Sequence, residues 1–364
     1  MKRAFKIPLL ILSLLIFAVI AFFAFLTIVE YRPKATEEVQ VENALLQEAE
    51  NVTEKSLSLN KEYSVITWNT GYGALGKNAD FFMDGGKMVN TANKNLVQEN
   101  INKIAEGLKD ENPDFIFLQE VDVKSKRSHK IDQEEFYRQA FATYQNAFAV
   151  NYKVPFIPYP LPPIGKVYGG IQTLSRYKIF EAQRIALPTS FKWPVRLGNL
   201  KRCLLISRLA VEESDRELVL INLHLEAYDS GEGKIMQTNL LKSVIHSELE
   251  KGNYVIAGGD FNQQFSSTDA SAFPQQGENF WQPGIIDESE FDQGLNFVQP
   301  NTIASCRSLD KAYEGQAKEN FQLYIIDGFI LSKNINITSA QTIDKNFENT
   351  DHNPIKITFT LEQQ

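Results

Sequence analysis

Only two cysteines, Cys203 and Cys306, occur in 364 residues, and they lie far apart. This excludes a disulfide framework, and neither takes part in a zinc-site spacing, so both read as core residues. Positive charge is scarce too: 37 Lys and Arg against 45 Asp and Glu leave a net charge of −8. No internal repeat at solenoid periods is apparent. Charge of either sign is missing altogether from Ile7 to Val29. With 43% hydrophobic and 23% charged residues, the remainder has the composition of a folded protein with a sizeable core. The length suits one large domain or two ordinary ones.

The charge-free stretch exceeds the ~20 residues that span a bilayer. Lys2, Arg3 and Lys6 precede it, so residues 1–6 are expected in the cytoplasm and the chain after Val29 outside it. A cleaved signal peptide is the competing reading, but its apolar region is normally only about 7–15 residues with a small-residue cleavage site. Phe22 to Val29 offers little of that kind. A single-pass anchor over residues 7–29 in the cell membrane is therefore expected. Residues 1–29 carry three positive charges and no acid, so the remainder stands at −11. Such a domain does not draw polyanions at long range, which counts against a high-affinity DNA binder but not against a nuclease with local cations. Residues 30–60 are polar and acid-rich, with Thr36 to Glu50 favouring helix, and read as a juxtamembrane stalk.

From residue 61 onward strands alternate with amphipathic helices. Asn95 to Lys109 places Leu96, Ile101, Ile104, Ala105 and Leu108 at helical spacing before Asn112-Pro113 stops it. Gln133–Tyr144 and Lys234–Leu249 read as further helices. Short runs rich in Val, Ile and aromatics read as buried strands, and several end on a polar residue. Val65-Ile66-Thr67-Trp68 ends at Asn69, and Phe115-Ile116-Phe117-Leu118 at Gln119-Glu120. Leu218 to Leu223 ends at His224, and Tyr254-Val255-Ile256-Ala257 runs through two glycines into Asp260-Phe261-Asn262. Tyr324-Ile325-Ile326 meets Asp327, and Asp351-His352 precedes the last apolar stretch. Further strands are expected at Gly169–Ser175, Arg202–Val211 and Lys356–Leu361. At least eight strands with few helices between the later ones favour a two-sheet α/β (α+β) sandwich over a doubly wound sheet.

Gly71-Tyr72-Gly73-Ala74-Leu75-Gly76 matches a dinucleotide fingerprint directly after a strand, but no helix opens at its last glycines. Without that helix N-terminus the pyrophosphate has no seat, so the segment is expected to be a flexible loop beside the site. Phe148 to Ile164 is rich in proline and aromatics and reads as a stiff surface loop, with a substrate lip or a membrane-dipping segment as alternatives.

In order and content, Trp-Asn69, Gln-Glu120, Asn-Leu-His224-Leu, Gly-Gly-Asp260-Phe-Asn262, Ile-Asp327-Gly-Phe-Ile and Asp351-His352-Asn-Pro resemble the signature blocks of the endonuclease/exonuclease/phosphatase superfamily. That superfamily holds deoxyribonuclease I, abasic-site endonucleases, bacterial sphingomyelinases and inositol-polyphosphate phosphatases. The resemblance covers roughly residues 61–362. It implies a four-layer α/β/β/α sandwich of deoxyribonuclease I type, with the site at one edge between the sheets. It also implies hydrolysis of a phosphate ester assisted by Mg²⁺, with Mn²⁺ as an alternative.

Mg²⁺ prefers oxygen ligands and keeps several waters. Glu120 would supply the anionic ligand, Asn69 an amide oxygen and Asp351 a further contact. Asp260 and Asn262, two apart, face the same way in extended chain: Asp260 would orient or deprotonate water and Asn262 donate to a phosphate oxygen. Asp327 would fix the tautomer of His352 and favour its charged ring, which then meets charge growing on the phosphate. His224 is expected as a second imidazole on the other side. Arg176, in a Leu-Ser-Arg-Tyr run, and Asn222 are assigned to substrate; Lys201-Arg202 carries the same two readings as Arg176, phosphate contact or solvated strand end. No clear counterpart of an active-site tyrosine is found.

The expected protein is thus an externally facing phosphodiesterase, with a nuclease ahead of a phospholipid, sphingomyelin or inositol-phosphate esterase. A non-catalytic binding protein on the same fold is the competing class. Its partners would be a phosphate ester and, through the N-terminal helix, a membrane; the oligomeric state is not legible.

Overall fold

The computed structural model describes residues 6–43, 56–277, 280–313 and 320–363. Helix α1 (Lys6–Ile28) leads into strands β1 (Thr36–Glu38) and β2 (Val41–Asn43). Then come β3 (Glu62–Asn69), α2 (Lys94–Glu111), β4 (Phe115–Asp122), α3 (Gln133–Ala140), β5 (Gln145–Ile157) and β6 (Gly165–Ser175). The second half holds β7 (Ile179–Ala186), β8 (Cys203–Ala210), β9 (Glu217–His224), α4 (Glu232–Glu250) and β10 (Tyr254–Asp260). After the short β11 (Gln263–Phe265), β12 (Gly284–Ile286), β13 (Asn296–Val298), β14 (Cys306–Arg307) and β15 (Leu323–Tyr324), the chain ends with β16 (Asp327–Leu331), β17 (Ile335–Thr342) and β18 (Ile355–Leu361).

Two seven-stranded sheets result, in the orders β17-β18-β3-β4-β6-β5-β2 and β1-β7-β8-β9-β10-β16-β13. Alternation along each strand explains the layering. Val65, Phe115, Phe117, Ile357 and Phe359 of the first sheet pack between the sheets on Leu205, Leu220, Ile256 and Phe329 of the second. Their sequence neighbours point outward. Ile66, Trp68, Ile116 and Leu118 receive Ile101, Ile104 and Leu108 of α2, while Val219, Ile221 and Val255 receive Leu241 and Ile245 of α4. The architecture is the expected four-layer α/β/β/α sandwich. Helix α2 starts where the Asn93 side chain accepts from Leu96 N and stops at Asn112, in left-handed backbone before Pro113.

Two expectations need correction. The segment read as a helical stalk is stitched into the domain where it is described: β1 pairs with β7 and β2 with β5, on different sheets. Val39 and Val41 explain this, since both pack on the inter-sheet core; the rest of the expected helix, residues 44–50, lies outside the described residues. Of the expected loop Phe148–Ile164, residues 148–157 belong to β5, paired along β6. Only 158–164 form a loop. The two cysteines are free and buried, as expected.

Helix α1 is long and apolar enough to cross a membrane. The side chains of its first turns are exposed, while its last two turns pack on the domain. Phe22 meets Phe156 with ring centroids 6.3 Å apart, and Phe23 meets Trp193 at 6.0 Å. Trp193 Nε1 donates to Thr27 Oγ1 at 3.1 Å.

Candidate active site

The strand register assembles the site before any side chain is considered. Asp260, the last residue of β10, is paired with His224, the last of parallel β9, and with Asp327, the first of antiparallel β16. In the other sheet Asn69 ends β3 opposite Gln119 on parallel β4. Carboxyl ends of four strands therefore meet at one edge of the sandwich. His352 joins them through a bridge to Cys306, and Trp68 Nε1 holds the His352 carbonyl at 2.9 Å.

Glu120, His224, Asp260, Asn262, Asp351 and His352 line one cavity of about 690 Å³. Asn69 and Asp327 stand behind them. Glu120 has left-handed backbone, φ +56°, at a break in the β4–β6 register between Leu118 and Val121. A bulge re-aims a side chain that strand alternation would send elsewhere, and this conformation costs a non-glycine residue about 1–2 kcal/mol. The Gly71 turn lies against the site and is buried and packed rather than flexible. A Cβ on Gly71, φ +51°, would stand 2.9 Å from Thr350 Oγ1 and 3.0 Å from Asp351 Oδ1. At Gly259 the close approach is by the chain itself, since a Cβ there would stand 2.0 Å from the Leu223 carbonyl oxygen.

His352 Nδ1 lies 2.9 Å from Asp327 Oδ2. Burial would push this imidazole down, but Asp327 above all pushes it well above its ordinary value, so the ring is charged at neutral pH. His224 goes the other way: burial, then the charges of Arg202 and His352, hold it well below, and it is neutral. Its Nε2 lies 3.4 Å from Asp260 Oδ2, and its buried Nδ1 has no partner. Asp260 is pushed up to about 7, by burial first and then by Asp327, against the pull of His352 and Asn69. Asn262 N donates to Asp260 Oδ1 at 2.9 Å.

Several assignments change on inspection. Asn69 Oδ1 accepts from Gly71 N, so its amide nitrogen faces the acids, 3.0 Å from Asp260 Oδ2 and 3.3 Å from Glu120 Oε1. In this arrangement Asn69 braces two carboxylates and offers no oxygen to a cation. The Asn262 amide donates to the Leu225 carbonyl at 2.9 Å instead of standing free for phosphate. Asn222 is fully buried between the sheets, donating to Gln172 O and accepting from Gln119 Nε2, and does not line the cavity. Arg176 bonds Tyr144 and Asn112 beside the start of β4, the end of the sheet opposite Glu120.

Sequence reasoning missed other cavity residues. Asp84, from the segment after the Gly71 turn, accepts from Tyr228 Oη at 3.1 Å. Tyr72 and Tyr228 both line the cavity, supplying tyrosines the sequence did not point to. Arg127, Arg202 and Arg307 line it as well. Each guanidinium already has intramolecular partners: Asp122 for Arg127, Glu226 and the His224 carbonyl for Arg202, and main-chain carbonyls for Arg307. Only Arg202 had a sequence signal, at a strand start.

The donor set suits a hard cation. Burial and the charge of Asp351 push Glu120 up, and the same two causes, together with Glu120 itself, push Asp84 up to about 7. Glu120, Asp351 and Asp84 share one cavity with Asp260 and Glu226, and Asp327 Oδ1, behind it, is buried without a partner. Oxygen ligands short of positive charge fit Mg²⁺ or Mn²⁺.

Comparison with known proteins agrees with this fold. Residues 66–313, more than half of the chain, match the model of a family described as the Endonuclease/Exonuclease/phosphatase family. Among curated proteins none matches. Of solved structures, an endonuclease/exonuclease/phosphatase from Beutenbergia cavernae is 18% identical with TM-score 0.56, over 83% of this chain and 72% of that one. TDP2 of D. rerio, complexed with a single-strand DNA product, is 16% identical with TM-score 0.51 over 83% and 100%. A family protein from Leptotrichia buccalis is 16% identical with TM-score 0.50 over 82% and 100%. At these identities the likeness is one of fold.

Proposed function

Since the chain belongs to the endonuclease/exonuclease/phosphatase family, whose members are typically divalent-metal-dependent phosphoesterases, we propose that it is a membrane-anchored hydrolase of phosphodiesters, its catalytic domain on the outer side of the cell membrane. The observation that carries the reading is the convergence of Glu120, Asp260 and His352 on one cavity from chain segments far apart in sequence.

Each residue has a chemical task. Glu120, Asp351 and Asp84 would hold the cation, which when bound supplies positive charge to the phosphate and its leaving oxygen. Asp260, braced by Asn69 and by Asn262 N, takes the proton of the attacking water as its oxygen bonds to phosphorus. His352, held charged by Asp327, meets the growing charge on the phosphate oxygens and protonates the leaving oxygen as the ester bond breaks. Neutral His224, with Nε2 3.4 Å from Asp260 Oδ2, supports Asp260.

The nuclease reading has weaker support than the sequence alone offered it. The three cavity arginines are committed to internal partners, and the chain beyond Val29 carries −11. The test uses the full chain in vesicles with bis(p-nitrophenyl) phosphate and Mg²⁺. Hydrolysis should stop with chelator and in Asp260→Asn; metal-independent turnover, or an active Asp260→Asn, defeats the reading.

A further inference from the structure

The anchor helix is docked, not merely tethered. Besides the Phe22–Phe156 and Phe23–Trp193 contacts, Glu30 is nearly buried and gathers Arg32 and Lys201 at 3.0 Å and Arg196 at 3.3 Å. Only seven residues separate Ile28 from β1, and β1 and β2 then pair with opposite sheets. No slack remains for the domain to swing away from the helix end.

That coupling fixes depth. Phe22 lies six residues before Ile28, about 9 Å below the helix end at 1.5 Å per residue. Whatever touches Phe22 and Phe23 therefore shares the outer boundary of the bilayer. Phe156, at the end of β5 just before loop 158–164, does so, as does Trp193 in loop 187–202. These two loops present apolar side chains that the protein leaves uncovered: Leu161 is 83% exposed, Tyr159 73%, Val195 58% and Trp193 55%. Lys192 and Arg196 stand among them. Aromatic and aliphatic tips with basic neighbours next to a spanning helix have the composition of a membrane-interface surface.

The same two loops wall the cavity. Ile164 from the first and Phe191 and Leu200 from the second line it together with Glu120, Asp260 and His352. Phe81, Met83 and Tyr228 line it as well. A lining that combines acids with apolar and aromatic side chains fits an amphipathic molecule better than a polyanionic strand.

We infer that loops 158–164 and 187–202 seat in the outer leaflet beside α1, and that the cavity takes its substrate from that leaflet, the phosphodiester of a membrane phospholipid. This rests on the phosphoesterase reading above and names its substrate class.

The experiment uses the full chain in vesicles of dioleoylphosphatidylcholine, dioleoylphosphatidylglycerol and sphingomyelin. An environment-sensitive fluorophore on Leu161→Cys reports depth, with the two native cysteines buried. It should be quenched by spin-labelled acyl chains and shielded from aqueous iodide. In parallel, Tyr159→Ser/Leu161→Ser/Val195→Ser should cut vesicle-lipid hydrolysis roughly tenfold or more, since interfacial binding scales with apolar area. It should leave bis(p-nitrophenyl) phosphate turnover unchanged. A fluorophore open to iodide, or a triple variant that cleaves vesicle lipid like the parent, overturns the inference. Turnover of the soluble diester with no lipid cleaved removes the lipid substrate and spares the phosphoesterase reading. If neither is cleaved both substrate assignments fail, and the fluorophore still decides the seating.

Discussion

Asn69 Nδ2 donates to Asp260 Oδ2 at 3.0 Å, joining the ends of two strands from opposite sheets. One amide thereby holds the proposed base and, through its 3.3 Å contact, Glu120 as well. Asn69→Ala leaves both carboxylates without that donor, and a buried acceptor left unmade costs about 1–3 kcal/mol. Turnover of bis(p-nitrophenyl) phosphate should fall roughly 10- to 100-fold, in keeping with that cost. An unchanged kcat in a folded Asn69→Ala protein shows that Asn69 has no part in positioning.

The proposed base, Asp260, would act only when ionised, and burial pushes it up to about 7. The sign follows: activity rises with pH as the carboxylate forms and levels off above that region. Nearby positive charge favours the ionised form. Raising Mg²⁺ should therefore move the acid limb of the pH–rate profile to lower pH. A limb that stays put across Mg²⁺ concentrations separates the cation from Asp260.

Asp327 touches His352, not the cavity. Replacing it with Asn keeps the shape while removing the charge that holds the imidazole protonated. General acid catalysis contributes typically about 10²–10⁴-fold, so Asp327→Asn should lose kcat on that scale while KM for the soluble diester stays near the parent's. A change in KM alone means that Asp327 only shapes the pocket.

These relationships were legible in unequal measure. Asp260, His224 and Asp327 end or begin apolar runs, and buried strands in register bring such residues side by side, so pattern alone located them. The bulge that turns Glu120 into the cavity has no local signature, but it falls where the apolar run stops at Gln119-Glu120, although β4 itself continues to Asp122. Asn222 misled because a polar residue inside a strand reads the same whether it faces substrate or another sheet. Arg176 misled because a strand has two ends, and only the fold says which one meets the site. Asp84 and Tyr228 are separated by 144 positions, and nothing along the chain links them.

The place of Asn222 is itself testable. Its amide donates to Gln172 O at 2.9 Å, and its oxygen accepts from Gln119 Nε2 at 2.8 Å. Asn222→Ala strands both partners in the core, at about 1–3 kcal/mol each. Urea unfolding should show that loss while KM for the soluble diester is unchanged. A raised KM at full stability returns Asn222 to the substrate.

Away from the site, Glu248 makes a prediction about acid. Its carboxylate accepts from Arg208 at 2.6 and 3.1 Å, from Lys251 at 2.9 Å and from Asn253 at 2.7 Å. Burial opposes ionisation, but those donors, Arg208 first, bring it down from 4.5 to about 2. A group lowered by folding stabilises the fold above its unfolded value and loses that contribution as pH falls through its folded one. Glu248→Gln keeps the size and removes the charge. It should cost about 1–3 kcal/mol at neutral pH, the worth of hydrogen bonds to a charged group. The gap between parent and variant should hold down to about pH 4.5, the ordinary value for Glu, and shrink toward about pH 2. Urea midpoints along that series measure it, and a gap that stays constant to pH 2 means that the Glu248 charge contributes nothing to stability.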